Sequence, residues 1–164
     1  MIRASVFAFA LAACGPGVKG GPTMSNKLNA EPAPVAASPV VSTDILAREP
    51  LANMVMVKHI LVGWAELADA YQGHQDKRSA GRTKAQAEVL VTELMEKLKL
   101  GGDFESLMQA NSEDVGSSAS NRPIKVTPDA GLVIEFRQLS LRLHPQEYGV
   151  CQSDFGFHII KRYE

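Results

Sequence analysis

Two histidines lie in apolar segments near the two ends of the C-terminal part of the chain. His59 stands within residues 55–62, and His158 within residues 157–163. Both segments have the β-branched and aliphatic composition of buried strands, in which successive side chains point to opposite faces. If the two strands are neighbours, the two imidazoles can meet on one face. An imidazole changes its charge near neutral pH, so such a pair can set tautomers and the local charge of a site.

The residue types that can bind metal ions are scattered along the sequence. Cys14 and Cys151 are far apart in the sequence, and His74 and His144 lie in polar surroundings with no ligand at a suitable spacing. We therefore expect no metal site and no disulfide. Cys151 stands in an apolar stretch and is interpreted as a small buried side chain.

The composition limits the class of protein. The 164 residues give room for one ordinary domain and a tail, and 45% hydrophobic residues are enough to build a core. The formal net charge of −1 argues against a nucleic-acid partner, because such proteins carry a basic stripe that pairs with phosphates.

The segment 53–164 has the pattern of one α+β domain. Its clearest element is a helix that begins at Thr83, where Thr83 and Gln86 form a capping box ahead of an apolar stripe. A long polar connection, residues 64–82, precedes this helix. We also expect four strands, at 55–62, 124–126, 148–151 and 157–163. One further helix begins at Phe104, another spans 132–143, and residues 112–121 form a polar loop. We expect the first and last strands to pair at the centre of the sheet.

The N-terminal region predicts export and anchoring. Residues 1–13 contain one basic residue and an apolar run that is too short to cross a bilayer, as in a signal peptide. The sequence Leu11-Ala12-Ala13-Cys14 resembles a bacterial lipoprotein processing site, which implies lipidation of Cys14. Residues 14–52 are rich in Pro and Ala and predict a flexible tether. We expect the domain to be lipid-anchored on the periplasmic side of a bacterial envelope, at the inner or the outer membrane.

Five segments together resemble the parvulin, or rotamase, family of peptidyl-prolyl cis/trans isomerases. They cover nearly all of residues 55–163 in the family's order. They are Lys58-His59-Ile60-Leu61-Val62, Gly102-Asp103-Phe104-Glu105-Ser106-Leu107, Ser112-Glu113-Asp114, Val133-Ile134-Glu135-Phe136 and Phe155-Gly156-Phe157-His158-Ile159-Ile160.

The resemblance implies a small antiparallel sheet of about four strands with three to four helices packed around it. It also implies a catalytic group and a pocket for the proline ring. The catalytic residues would be His59, Asp114, Ser153 and His158, and the substrate-binding residues Ile124, Leu132, Phe136 and Phe155. Rotation of an X-Pro bond breaks no covalent bond, so we expect no cofactor. The expected partners are proline-containing unfolded or extended polypeptides, bound by a monomer that assists the folding of exported proteins.

The chain departs from the family at residues 121–127, where Asn121-Arg122-Pro123 replaces a glycine-rich turn. This change leaves an alternative open, namely a peptide-binding chaperone module with the same fold and little or no isomerase activity. A structural envelope lipoprotein without a peptide site is a third possibility. Two further questions stay open: whether Asp114 acts through its charge or orients water, and whether the basic cluster Lys77, Arg78 and Arg82 contacts substrate.

Overall fold

A computed structural model describes residues 38–164 of the chain. The predicted signal peptide, the lipidation site Cys14 and the first part of the predicted tether lie outside the described residues. The described residues form one unit around a single sheet. This unit includes residues 38–52, which are the last part of the predicted tether.

The sheet has four antiparallel strands in the order β2-β1-β4-β3. The strands are β1 (Val55–Val62), β2 (Ile124–Val126), β3 (Tyr148–Ser153) and β4 (Gly156–Arg162). The first and last strands pair at the centre, as the sequence predicts. Their register sets His59 opposite Ile160 and Leu61 opposite His158.

Six α-helices and one 3₁₀ helix occur among the described residues. They are α1 (Thr43–Leu46), the 3₁₀ helix (Ala65–Tyr71), α2 (Lys77–Ala80), α3 (Lys84–Lys99), α4 (Phe104–Asn111), α5 (Val115–Ser120) and α6 (Ile134–Ser140). The capping box that the sequence predicts at Thr83 and Gln86 is present, with both reciprocal hydrogen bonds formed.

Each face of the sheet packs against its own layer. On one face Ile60, Phe157 and Ile159 bury against α3 and α4. On the other face Val57, Ile160 and Cys151 share a core with α6. Both central strands are therefore buried on two sides, which explains why their sequences are almost continuously apolar. Cys151 is buried, as expected, and its burial raises the pKa of the thiol.

The folded unit begins earlier than the predicted boundary at residue 52. Ile45 of α1 is buried in the core, and the backbone amide of Ser42 donates to the carbonyl of Val150 on the edge strand β3. The amide of Val150 returns a hydrogen bond to the Ser42 hydroxyl. Within residues 38–52, the last part of the predicted tether, these residues thus contact the domain. The apolar residues of this stretch, Val40, Val41, Ile45, Leu46 and Leu51, extend over too few turns to show helical or strand periodicity.

Three expected segments differ from the structure. The expected polar loop at 112–121 contains the helix α5. Its serine-rich sequence has only a weak helix propensity, so the pattern does not predict it. The side chain of Asp114 nevertheless caps its first turn. The expected open connection at 64–82 contains the 3₁₀ helix and α2. The helix expected at 132–143 is α6, which is shorter at both ends because residue 133 is extended and the chain turns after Leu141.

Candidate active site

The two predicted histidines contact each other on the α6 face of the sheet. The Nδ1 atoms of His59 and His158 are 3.2 Å apart, and the two rings lie nearly parallel with their centroids 5.4 Å apart. Because the two residues sit diagonally across β1 and β4, the antiparallel register brings the side chains into contact. Both histidines are buried.

Asp114 binds the outer side of His59. Its Oδ2 atom lies 3.0 Å from Nε2 of His59 and also accepts a hydrogen bond of 2.6 Å from the Ser117 hydroxyl. The hydrogen bond with His59, followed by those with Ser117, holds the pKa of Asp114 well below its usual range. The carboxylate is therefore ionised at neutral pH and accepts the Nε2 proton of His59.

Ser153 binds the opposite end of the pair. Its hydroxyl oxygen lies 2.8 Å from Nε2 of His158 and accepts a hydrogen bond of 3.1 Å from the backbone amide of Phe155. Burial, together with the neighbouring His59, lowers the pKa of His158 to about 3. His158 is consequently neutral at pH 7.

One arrangement of protons satisfies all of these contacts without a charge on either ring. Since His59 donates from Nε2 to Asp114, its Nδ1 atom accepts a hydrogen bond from Nδ1 of His158. Nε2 of His158 then accepts from the Ser153 hydroxyl. All the donors point toward Asp114, so the arrangement is a one-directional chain that ends at the carboxylate.

An apolar cleft of about 610 Å³ opens beside this chain of hydrogen bonds. Phe136 of α6 forms its base, with its ring edge-to-face to the rings of His59 at 5.1 Å and His158 at 5.5 Å. The four predicted substrate-binding residues, Ile124, Leu132, Phe136 and Phe155, all line the cleft, as do His59, Asp114 and His158. Ser153 does not line it, but lies behind His158.

The structure adds cleft residues that the sequence analysis did not select. Tyr71 of the 3₁₀ helix lines the cleft, and its hydroxyl donates to the backbone carbonyl of Phe155. Burial raises the pKa of Tyr71 to about 12, so the hydroxyl keeps its proton. Val115 and Ser117 of α5 line another side. The only sequence feature that indicates a role for Tyr71 is that an aromatic residue stands in the polar connection 64–82.

Glu113 connects the cleft to the basic cluster. Its Oε1 atom accepts a 2.6 Å hydrogen bond from Arg82, and Oε2 accepts one from the amide of Gly63. Burial raises the pKa of Glu113, and these two donors oppose the rise. Arg78 binds Asp76 and the carbonyl of Ser112. Both arginines therefore have protein partners.

Residues 38–164 contain neither a metal-binding cluster nor a membrane-spanning helix. Within this range no group of three or more His, Cys, Asp or Glu side chains is placed to hold a metal ion. None of the helices in this range is long and apolar enough to cross a membrane.

Comparisons with known proteins bear on the whole domain. The family model described as the PPIC-type PPIASE domain matches residues 43–164. The chain is 29% identical to the foldase protein PrsA of Geobacillus kaustophilus over 112 residues, which are 68% of this chain and 40% of that protein. It is 31% identical to the chaperone SurA of Pseudomonas aeruginosa over 108 residues, which are 65% of this chain and 22% of that protein. The matches thus span less than half the length of either relative.

A solved structure shows the same fold. The solution structure of TbPIN1 aligns with a TM-score of 0.58 at 20% sequence identity, over 70% of this chain and 100% of that chain. The helices and the four-stranded sheet described above are therefore a known α+β arrangement.

Proposed function

The chain belongs to the PPIC-type peptidyl-prolyl cis/trans isomerase family, and we propose that the cleft beside His59 and His158 is where it rotates X-Pro bonds. One observation carries this assignment: Phe136 stands edge-on to both imidazoles at the base of an apolar cleft. A proline ring that packs on Phe136 would place its preceding amide bond beside the hydrogen-bonded chain that ends at Asp114.

The apolar walls supply the first requirement of the reaction. An X-Pro bond rotates over a barrier of about 18–20 kcal/mol, and an enzyme lowers that barrier by binding the twisted amide better than the planar one. Phe136, Leu132 and Ile124 would hold the proline ring still while the carbonyl side of the bond turns. No bond to the substrate forms or breaks in this process.

The charge of Asp114 supplies the second requirement. Resonance in a planar amide places negative charge on the carbonyl oxygen, and twisting the bond removes it. An ionised carboxylate beside that oxygen therefore disfavours the planar form more than the twisted one. His59 and Ser117 keep Asp114 ionised and fixed, and His158 fixes His59 in turn.

Two N-cap aspartates provide a matched test of this proposal. Asp114 caps α5 through the amide of Ser117, and Asp103 caps α4 through the amide of Ser106. Asn is as good an N-cap as Asp, so Asp114→Asn and Asp103→Asn both keep a cap. We expect Asp114→Asn to lower kcat/KM on an Ala-Pro peptide by about tenfold or more, and Asp103→Asn to leave it unchanged. Equal activity of the two variants would contradict a role for the Asp114 charge.

We further propose that the chain is a lipid-anchored envelope protein that acts on exported polypeptides. The sequence Leu11-Ala12-Ala13-Cys14 supports the anchor, and the foldase and chaperone names of the two relatives support polypeptide clients. Membrane fractionation of the full chain and its Cys14→Ser variant tests the anchor. Equal recovery of both forms in the soluble fraction would exclude it.

A second candidate is a chaperone module that binds peptides and isomerises little. It is favoured by the segment before the cleft residue Ile124, where the exposed residues Arg122 and Pro123 replace the family's glycine-rich turn. Suppression of aggregation by the wild type without acceleration of proline isomerisation would support this candidate over the isomerase.

A further inference from the structure

Two aromatic pairs fasten the connection between β1 and α3 to the β3–β4 hairpin. Trp64 packs on Phe157 with ring centroids 4.9 Å apart, and Tyr71 packs edge-to-face on Phe155 at 5.7 Å. The second pair carries a hydrogen bond as well, from the Tyr71 hydroxyl to the Phe155 carbonyl. The 3₁₀ helix is therefore held to the turn of the hairpin at one defined point.

That point lies two hydrogen bonds away from a central histidine. The amide of Phe155 donates to the Ser153 hydroxyl oxygen at 3.1 Å, and this oxygen lies 2.8 Å from Nε2 of His158. A hydroxyl has one proton to donate. The Ser153 oxygen accepts from the Phe155 amide on one lone pair, and Nε2 of His158 accepts the Ser153 proton because the ring donates from Nδ1 toward His59.

The local backbone places Tyr71 at the cleft. The 3₁₀ helix ends at Gln72 in the left-handed region, with a φ of 49°, and Gly73 follows with a φ of 86°. The amide of His74 then closes the turn on the carbonyl of Tyr71. This reversal leaves the Tyr71 ring half-buried between Phe155 and the cleft.

We propose that Tyr71 is a positioning residue of the isomerase site, which fixes the backbone of Phe155 at its carbonyl and thereby holds the Phe155 amide that keeps the Ser153 hydroxyl aimed at His158. This inference rests on the function proposed above. It differs from the pocket assignment because the Tyr71 hydroxyl acts through the turn and the histidine pair, not through contact with the proline ring.

A pair of tyrosine variants separates positioning from simple packing. Tyr71→Phe keeps the ring on Phe155 and removes the hydroxyl. Tyr148→Phe is the matched control, because its hydroxyl also donates to a backbone carbonyl, that of Leu98, at 2.9 Å, but Tyr148 packs away from the cleft. Both variants lose one comparable hydrogen bond.

Two readouts apply to both variants, namely isomerase kinetics and the nitrogen-15 shifts of the imidazoles at one neutral pH. For Tyr71→Phe we expect kcat to fall by about five- to tenfold with KM nearly unchanged, since the ring contact stays. We also expect the His158 shifts to move toward a mixture of the two neutral tautomers, because Ser153 is no longer held. Tyr148→Phe should change neither readout.

Unchanged kcat and unchanged His158 shifts in Tyr71→Phe would overturn the inference, as would equal changes in Tyr148→Phe. Failure of the proposed function would be distinct, because the wild type itself would then not accelerate isomerisation. In that case the nitrogen-15 shifts still decide whether Tyr71 orients the Ser153–His158 contact.

Discussion

His59 and His158 face each other through their Nδ1 atoms at 3.2 Å, so only one proton lies between the two rings. The contact is compatible with two neutral rings and directs their donors toward Asp114. A positive charge on His158 in this buried space would have no carboxylate of its own. The arrangement thus explains why the pKa of His158 falls to about 3 through burial and the presence of His59.

The stability of the domain should depend on His158 below neutral pH. In an unfolded chain a histidine has a pKa of about 6.5, whereas in the folded protein that of His158 is about 3. Between these values the unfolded state binds the extra proton. The contribution is therefore fully present above about pH 6.5 and is lost as the pH falls toward 3, by up to about 1.4 kcal/mol per pH unit.

Urea unfolding between about pH 7 and pH 5 measures this slope, in a range where unfolded carboxylates stay mostly ionised. We expect His158→Asn to flatten the dependence relative to the wild type. His144→Asn, which changes an exposed histidine, should keep the wild-type slope. The same slope in all three proteins would contradict the low pKa of His158.

A partly buried ion pair between β1 and α4 should contribute strongly to folding stability. Lys58 is buried, and its Nζ atom lies 3.0 Å from Glu105 and 2.9 Å from the side-chain oxygen of Asn121. Tyr163 also donates to Glu105 at 2.6 Å. Burial opposes ionisation of Glu105, but the hydrogen bonds from Tyr163 and Lys58 lower its pKa to about 2.

Glu105→Ala should cost about 3–5 kcal/mol in the free energy of unfolding, because it leaves the Lys58 ammonium buried without a carboxylate. Asp44→Ala, which removes the exposed partner of Arg48 at 4.0 Å, should cost less than about 1 kcal/mol. The double variant Lys58→Met/Glu105→Leu should recover much of the loss. A cost for Glu105→Ala no larger than that for Asp44→Ala would show that the buried pair adds little.

The site should show no preference for phosphate before proline. Arg78 is bound to Asp76 and to the carbonyls of Ala110 and Ser112, and Arg82 is bound to Glu113 and the carbonyl of Gly63. Neither guanidinium is available to grip a dianion without losing these partners.

Isomerase rates on Ser-Pro, phospho-Ser-Pro, Glu-Pro and Ala-Pro peptides test this expectation. We predict that the phosphorylated peptide gives no advantage over Ala-Pro. A tenfold or greater preference for phosphate that disappears in Lys77→Ala/Arg78→Ala would assign the basic cluster to substrate binding instead.

The sequence predicts the central part of the domain well because its signals are local. Side-chain alternation puts His59 on one face of β1, and the capping box at Thr83 marks the start of α3. The pairing of the first and last strands follows from their apolar length. Each of these features can be predicted because the order of apolar and polar residues along the chain indicates which side chains become buried.

The parts that the sequence did not predict depend on contacts between distant residues. The register that sets Leu61 opposite His158 is fixed by packing on both faces of the sheet. Tyr71 reaches Phe155 across 84 positions of the chain. Helix α1 is only one turn long, and Ile45 becomes buried only against α6 and β3. No short-range pattern reports such contacts.

The most direct test of the account compares proline isomerisation in the wild type, Phe136→Ala and Leu143→Ala. Both substituted residues are buried in the same core, but Leu143 does not line the cleft. Each substitution should cost about 2–5 kcal/mol of stability, so exchange NMR on an Ala-Pro peptide is run at a temperature where both remain folded. We predict that the wild type and Leu143→Ala accelerate exchange. The rate that Phe136→Ala produces should be lower than the wild-type rate by at least about tenfold. A wild type that does not accelerate exchange, or a folded Phe136→Ala with the full rate, would contradict the assignment of the cleft.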